Sequence, residues 1–273
     1  MVLYFGTGTS SVPPGGGSIA PSPQLCPTIR ANLGDVVELS FLNQVDPLDY
    51  GQSVDSGEKS GQCDTSSNGY PVLAKGPPAV TDTYPNCFHG STTANIHFHG
   101  THTSPITTGD NVYVAVTPSP RVNGQPAVTS ATFQSDYAKF FANCAKALQA
   151  NPLNQYPALP TVLGPWPATK GSFWEEQLKY LKMVNANWPP TAADLAKLDE
   201  TALNAKQWPP YYAGSYPYCL VLQRYNPAGT PNLKMGQSPA THWYHAHKHG
   251  STSINLFNVM YGPFIITDNA PAR

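Results

Sequence analysis

Two short stretches of the sequence contain nearly all of its histidines. The first is Asn-Ile-His-Phe-His-Gly-Thr-His at 95–102, and the second is His-Trp-Tyr-His-Ala-His-Lys-His at 242–249. The chain has 8 histidines, and all but His89 lie in these stretches. Neutral imidazole is a common protein ligand of copper, zinc, iron and nickel, so this clustering indicates a metal site.

The spacing within each stretch suits β-strands. Residues i and i+2 of a strand point to the same face, so His97 and His99 project together, as do His245 and His247. Two such strands side by side would present four imidazoles to one cavity. The alternative is a row of solvated histidines on a strand, which their restriction to two matching stretches disfavours.

The surrounding sequence indicates the elements that would position these residues. Val37, Leu39 and Phe41 alternate with Glu38 and Ser40, the period of a half-buried strand that follows a turn. Further β-rich runs occur at 94–99, 111–116, 218–224 and 261–268.

Between residues 118 and 217 the apolar period becomes helical. A stripe at helical spacing is formed by Phe133, Tyr137, Phe140, Phe141, Cys144 and Leu148. Ser172 with Glu175 forms a capping-box pattern, and Thr191 with Asp194 opens a third predicted helix. The simplest division is a β-sandwich of residues 1–117 and 218–270, interrupted by a helical insertion at 118–217. The aromatic stripe is interpreted as the insertion's packing core, with a lid or docking surface as the alternative.

Composition narrows the class of protein. Charged residues are 11% of the chain, against roughly 25% in an ordinary soluble domain. The net charge of -1 gives no reason to expect nucleic acid or an anionic membrane as a partner. No apolar run approaches the ~20 residues of a membrane span.

The cysteines favour an oxidising compartment. None of the 5 cysteines lies in a Cys-x-x-Cys pair and none adjoins a histidine, so they indicate disulfides rather than a zinc knuckle. The odd count leaves one thiol unpaired, and the pairing stays open. The sequence therefore predicts an extracellular or periplasmic protein, although no signal peptide is visible at its beginning.

The two histidine stretches also resemble motifs of a known family. His97-Phe-His-Gly100 and Trp243-Tyr-His-Ala-His247 resemble the first two copper motifs of the multicopper oxidases, which include laccases. The flanking segments 27–35, 109–112 and 261–266 resemble the same family. The resemblance covers both arms of the predicted sandwich but not the insertion. It implies an all-β, Greek-key cupredoxin (plastocyanin-like) β-sandwich with a long, mainly helical insertion.

The resemblance assigns roles to individual residues. Members of the family reduce O2 to water at a trinuclear copper cluster while they oxidise a substrate. By resemblance, His97 would bind the type 2 copper, and His99, His245 and His247 would bind type 3 coppers. Asp110 matches an acid of the family near the cluster and is the candidate catalytic residue, as a proton shuttle. The alternative for Asp110 is a turn-initiating residue.

The resemblance also implies a missing half. In the family, the other copper ligands come from a later cupredoxin domain whose His-Cys-His motif binds the type 1 copper. This sequence has no His-Cys-His motif. We therefore expect the N-terminal domain of a multicopper oxidase, inactive alone, whose partner is a C-terminal cupredoxin domain or subunit carrying that motif.

Two other functions and four further histidines have their own predictions from the sequence. The chain would otherwise be a stand-alone copper-binding or copper-carrying protein without turnover, or, less favoured, a zinc protein. His102, His242 and His249 have no ligand role in the family motifs and are predicted to lie around the site or at the surface. His89 is predicted to be a loop residue.

Overall fold

The computed structural model describes residues 2–5, 26–45, 93–102, 109–112, 114–150, 172–184, 211–224, 236–248, 252–257 and 259–268. The strands in these ranges are β1 (Val2–Phe5), β2 (Ile29–Asn32), β3 (Val36–Asn43), β4 (His97–His99), β5 (Ala115–Thr117), β6 (Arg121–Val122), β7 (Gln125–Pro126), β8 (Tyr211–Ala213), β9 (Ser215–Val221), β10 (Ala240–His245) and β11 (Tyr261–Thr267). The helices are α1 (Gln134–Ala150), α2 (Phe173–Val184) and α3 (Thr252–Phe257).

A four-stranded sheet with the order β2–β11–β10–β4 carries the histidines. β2 runs parallel to β11, whereas the β11–β10 and β10–β4 pairs are antiparallel. In β11 the buried positions alternate with half-buried ones, and Phe264 and Ile266 face the core. This period-2 burial fixes the register, because a slip of one residue would turn both apolar side chains outward.

A three-stranded sheet with the order β1–β3–β9 forms the second large group of strands. Leu39 and Phe41 of β3 are fully buried, as the alternating pattern predicts. The turn before β3 has Gly34 at a φ of 95°, and the Asn32 N–H donates to the Asp35 carboxylate at 2.8 Å. Two further pairs, parallel β5–β8 and the β6–β7 hairpin, complete the described strands.

The helices α1 and α2 lie where the apolar period is 3.6. On α1 and just before it, Phe133, Tyr137, Phe140 and Cys144 are buried, and the side chain of Leu148 lies outside the described part. Ser172 caps α2, since its Oγ accepts from the Glu175 N–H at 3.2 Å. Most of the predicted stripe is therefore buried along α1, and the predicted cap lies at the start of α2.

The prediction of an all-β, Greek-key cupredoxin sandwich was wrong. The described strands are divided among sheets of four, three, two and two strands, and helices pack directly on them. Trp174 of α2 is fully buried with its ring 6.2 Å from that of Tyr212 in β8, and a disulfide joins Cys144 of α1 to Cys219 of β9. The helices thus share the hydrophobic core of the strands, and the described fold mixes α and β structure.

Several predictions stay open. The division into residues 1–117 with 218–270 and an insertion at 118–217 remains a prediction, although β8 and the first three residues of β9 already lie before residue 218. The third predicted helix after Thr191, and the residues His89 and His249, lie outside the described residues. Within the described part, no helix combines the length and apolar character needed to cross a membrane.

Candidate metal centre

The pairing of β4 with β10 brings the two histidine stretches together. In this antiparallel register His245 lies opposite His97, and Trp243 lies opposite His99. The intervening residues Phe98 and Tyr244 also face each other and are fully buried. Because side chains alternate along a strand, burial of this apolar pair turns the histidines to the opposite face.

The buried face is fixed by specific contacts. The Phe98 ring packs edge-on against Tyr218 and Phe264, at centroid distances of 5.8 and 5.7 Å. The Tyr244 hydroxyl donates to the Pro27 carbonyl at 2.5 Å. Opposite Tyr244 is Gly262, where a Cβ would lie 2.6 Å from the Tyr244 hydroxyl oxygen. A glycine is therefore needed at this position for β10 to hold its orientation.

Three imidazoles converge on one point. His97, His99 and His245 each offer a ring nitrogen, and these atoms all lie within 4.8 Å of one another. His99 Nδ1 and His245 Nε2 are 3.3 Å apart. Metal–nitrogen bonds of about 2 Å place two ligand nitrogens at most about 4 Å apart across one ion. Binding of one ion by all three rings would therefore require only a small movement of the side chains.

The fourth predicted ligand lies beside this group. The ring of His247 has its centroid 5.0 Å from that of His97 and 5.7 Å from that of His245. His247 follows the end of β10, and its N–H donates to the Asn95 side-chain oxygen at 3.0 Å. The structure thus brings all four predicted histidines into one neighbourhood, with His97, His99 and His245 the most closely grouped.

Asp110 determines which nitrogen of His97 is free. Its carboxylate oxygens lie 2.9 and 3.0 Å from His97 Nδ1, and one of them also accepts the Phe98 N–H at 3.0 Å. Asp110 is buried, with 2% of its surface exposed. A carboxylate that accepts from Nδ1–H leaves Nε2 as the ligand atom, the arrangement found behind many metal-bound histidines.

His245 is held in the ligand form by its surroundings. Its Nδ1–H donates to the Ala246 carbonyl at 2.8 Å, which leaves Nε2 as the unprotonated nitrogen that faces His99. Burial lowers the pKa of His245. The hydrogen bond to Ala246 raises it by a smaller amount, and the neighbouring His97, His247 and His99 lower it further. A lowered pKa keeps the imidazole neutral, and the neutral ring is the form that binds a metal ion.

Trp243 covers one side of the histidine group. Its ring stacks on His245 at a centroid distance of 4.1 Å and lies 5.1 Å from the ring of His99. The side chain is 39% exposed, and His99 is exposed as well. The site is therefore open to solvent along the edge formed by these two residues, whereas Asp110 closes its inner side.

The other described histidines lie outside the close group. The His242 Nε2–H donates to the Ser238 carbonyl at 3.0 Å, and the ring packs near Gly100, where a Cβ would lie 2.7 Å from His242 Nδ1. The His102 N–H donates to the Gln237 side chain at 2.8 Å. These contacts tie together the two segments that follow β4 and precede β10.

Sequence reasoning missed the roles of Asn95 and Trp243. Alternation along the strand places Asn95 on the face of His97 and His99, but the partners of its amide are segments distant in sequence. The position of Trp243 over His99 likewise follows only from the register of β4 against β10. No signal within either stretch gives that register.

Comparison with protein-family models, with curated proteins and with solved structures finds no match to this chain. The resemblance of its two histidine stretches to the multicopper oxidases therefore remains a prediction from the residues alone.

Proposed function

We propose that this chain binds copper through His97, His99, His245 and His247. In this proposal it supplies half of the ligands of a type 2/type 3 trinuclear copper site, which reduces O2 to water while a substrate is oxidised. The observation that supports it most directly is the β4–β10 register, which places His97 opposite His245. The close approach of three ring nitrogens follows from that register.

The donor set fits copper by its chemistry. Imidazole nitrogen binds both Cu(I) and Cu(II), and neither a thiolate nor a carboxylate belongs to the close group among the described residues. Bound copper would supply one-electron redox chemistry toward O2. The type 1 copper would belong to a partner domain or subunit that carries the His-Cys-His motif.

The protein's own residues prepare the site in three ways. Asp110 holds the proton on His97 Nδ1 and so keeps Nε2 available to the metal. The same buried carboxylate is hydrogen-bonded to a candidate ligand, which supports its proposed role in proton delivery. Trp243 stacks on His245 and limits the movement of that ring.

Copper titration of the purified chain tests the binding proposal. We expect His97→Ala and His245→Ala to weaken Cu(II) binding at least about 100-fold, because each removes a converging ligand. His102→Ala is the matched control, since His102 is exposed and the substitution keeps the backbone N–H that donates to Gln237. Equal affinities of the original chain, His97→Ala and His245→Ala would refute the proposal, and tighter binding of Zn(II) than of Cu(II) would favour a zinc protein.

Oxygen consumption tests the half-site proposal. The copper-loaded chain is expected to show no laccase-like turnover with a phenolic donor and no intense blue thiolate–copper absorption. Addition of a domain carrying the His-Cys-His motif is expected to restore oxidase activity. Sustained turnover by the chain alone would contradict the assignment of a half-site.

The second candidate, a copper-carrying protein, is favoured by the open edge of the site. His99 and Trp243 are both exposed, so a receiving protein could reach a bound ion from that side. This candidate predicts rapid transfer of copper to a chelating acceptor and no oxidase activity with any added domain. Measurement of both quantities on one preparation separates the two candidates.

A further inference from the structure

The Asn95 side chain is not a candidate metal ligand, but it makes three hydrogen bonds next to the site. It is fully buried and lies two positions before His97 on the same face of the chain. Its side-chain N–H groups donate to the Val112 carbonyl at 2.7 Å and to the Val114 carbonyl at 3.0 Å. Its side-chain oxygen accepts the His247 N–H at 3.0 Å.

These three bonds connect every segment that contributes to the candidate site. Asn95 itself leads into β4 with His97 and His99. Val112 lies two positions after Asp110, whose carboxylate holds His97. His247 is separated from Asn95 by 152 positions in sequence. One buried amide therefore spans both histidine stretches and the loop that carries the candidate acid.

His247 depends on this amide more than the other histidines do. His97, His99 and His245 lie within paired strands, whereas β10 ends at His245. Beyond it, the Ala246 N–H donates to the Met260 carbonyl, and the His247 N–H donates to Asn95. At His247 the backbone N–H is therefore bound by the Asn95 side chain and not by a neighbouring strand.

We propose that Asn95 is a positioning residue that holds His247 beside the three closely grouped histidines, so that four imidazoles rather than three are available to bind copper. The inference rests on the proposed copper-binding function. Asn95 touches no metal ion in this proposal and acts through the backbone of His247. Groups that orient a metal ligand typically change metal affinity about 10–100-fold when they are removed.

The test is a double-mutant cycle read out by Cu(II) affinity. Asn95→Ala is expected to weaken binding about 10–100-fold in the original chain and in a His99→Ala background. In a His247→Ala background the same substitution is expected to change affinity less than about twofold, because the imidazole that Asn95 positions is already absent. Equal effects of Asn95→Ala in all three backgrounds would overturn the inference.

Spectroscopy separates positioning from general destabilisation. Electron paramagnetic resonance of the Cu(II) protein is expected to show one fewer coordinated nitrogen in Asn95→Ala, as in His247→Ala. The matched control is Asn43→Ala, which removes another buried amide that donates to a backbone carbonyl, that of Val116 at 2.9 Å. This control is expected to lower stability without changing the copper spectrum. An unchanged nitrogen count in Asn95→Ala would overturn the inference.

Hydrogen exchange addresses the same contact without any substitution. The His247 amide in the original chain is expected to exchange far more slowly than in an unfolded peptide, because its acceptor is a buried side chain. Exchange at the unfolded rate would overturn the inference, whatever the stability of the variants. A failure of the copper-binding proposal is recognised separately, by His97→Ala binding copper as tightly as the original chain.

Discussion

The four-stranded sheet that carries the histidines and the helices α1 and α2 are stabilised by different interactions. Around the site, buried polar groups satisfy one another, as Asp110 does for His97 Nδ1 and the Phe98 N–H. Around the helices, packed aromatic rings and the Cys144–Cys219 disulfide dominate. The difference indicates a division of roles between the two regions. The helical region stabilises the fold, and the polar region orients the residues of a binding site.

This division predicts that stability and copper affinity can be changed separately. Substitutions in the helical region should lower the free energy of unfolding and leave the copper affinity of the folded protein unchanged. Substitutions around the histidines should do the reverse. The following four predictions test that separation, from the largest expected effect to the smallest.

Trp174→Ala is expected to cost about 3–5 kcal/mol of the free energy of unfolding, the usual cost of truncating a buried tryptophan. The Trp174 side chain is fully buried, with its ring centroid 4.7 Å from that of Phe173. Urea denaturation measures the loss, and Met183→Ala on the exposed side of α2 is the control, expected to change stability by less than about 0.5 kcal/mol. A loss of copper affinity in the folded variant would show that stability and copper binding are not separate properties of the two regions.

Replacement of both Cys144 and Cys219 by serine is expected to cost about 2–4 kcal/mol, since the disulfide restricts the unfolded chain across a separation of 75 residues. Denaturation of the variant and the original chain without reductant measures the difference. Cys26→Ser leaves this disulfide intact and is expected to cost less than about 1 kcal/mol. Coincident unfolding curves for the double variant and the original chain would show that the cross-link does not stabilise the helical region.

Asp110→Asn is expected to weaken copper binding about 10–100-fold, because the carboxylate that orients His97 is lost. An amide oxygen can still accept the Phe98 N–H, so the fold is expected to persist. Competition titration with a chelator gives the affinity. Asp136→Asn in the first turn of α1 makes the same change of charge away from the site and should bind copper as the original chain does.

The site was more predictable from the sequence than the fold. Alternation within a strand is a local property, so His97 with His99 could be placed on one face from spacing alone. The pairing of β4 with β10 was expected from the two matching His-x-His stretches, but its register is a long-range property that the sequence did not specify. The contacts of Trp243 and Asn95 depend on that pairing, and for this reason their roles emerge only from the structure.

The prediction of the fold class was also limited to local structure. The helical period correctly indicated helices at α1 and α2, because it reflects the spacing of apolar residues within each segment. It did not indicate what those apolar faces pack against. Burial of Trp174 near Tyr212 and the pairing of Cys144 with Cys219 decide that question, and both join residues far apart in the chain.

Trp243→Phe is expected to have the smallest effect on the free energy of unfolding. Its fluorescence reports directly whether copper binds at the histidines. Phenylalanine keeps an aromatic ring over His245, so stability should change by less than about 1 kcal/mol. Fluorescence should change much more, because bound Cu(II) quenches a nearby indole and Trp243 stacks directly on a candidate ligand.

Titration with Cu(II) is therefore expected to quench tryptophan emission strongly in the original chain and weakly in Trp243→Phe. Trp174→Phe is the matched control, since Trp174 lies in the aromatic core of the helical region and its loss should leave the quenching intact. If Trp243→Phe were quenched as strongly as the original chain, copper would bind away from the four histidines. Loss of quenching in Trp174→Phe would instead place the ion near the helices, and the proposed division between the two regions would fail.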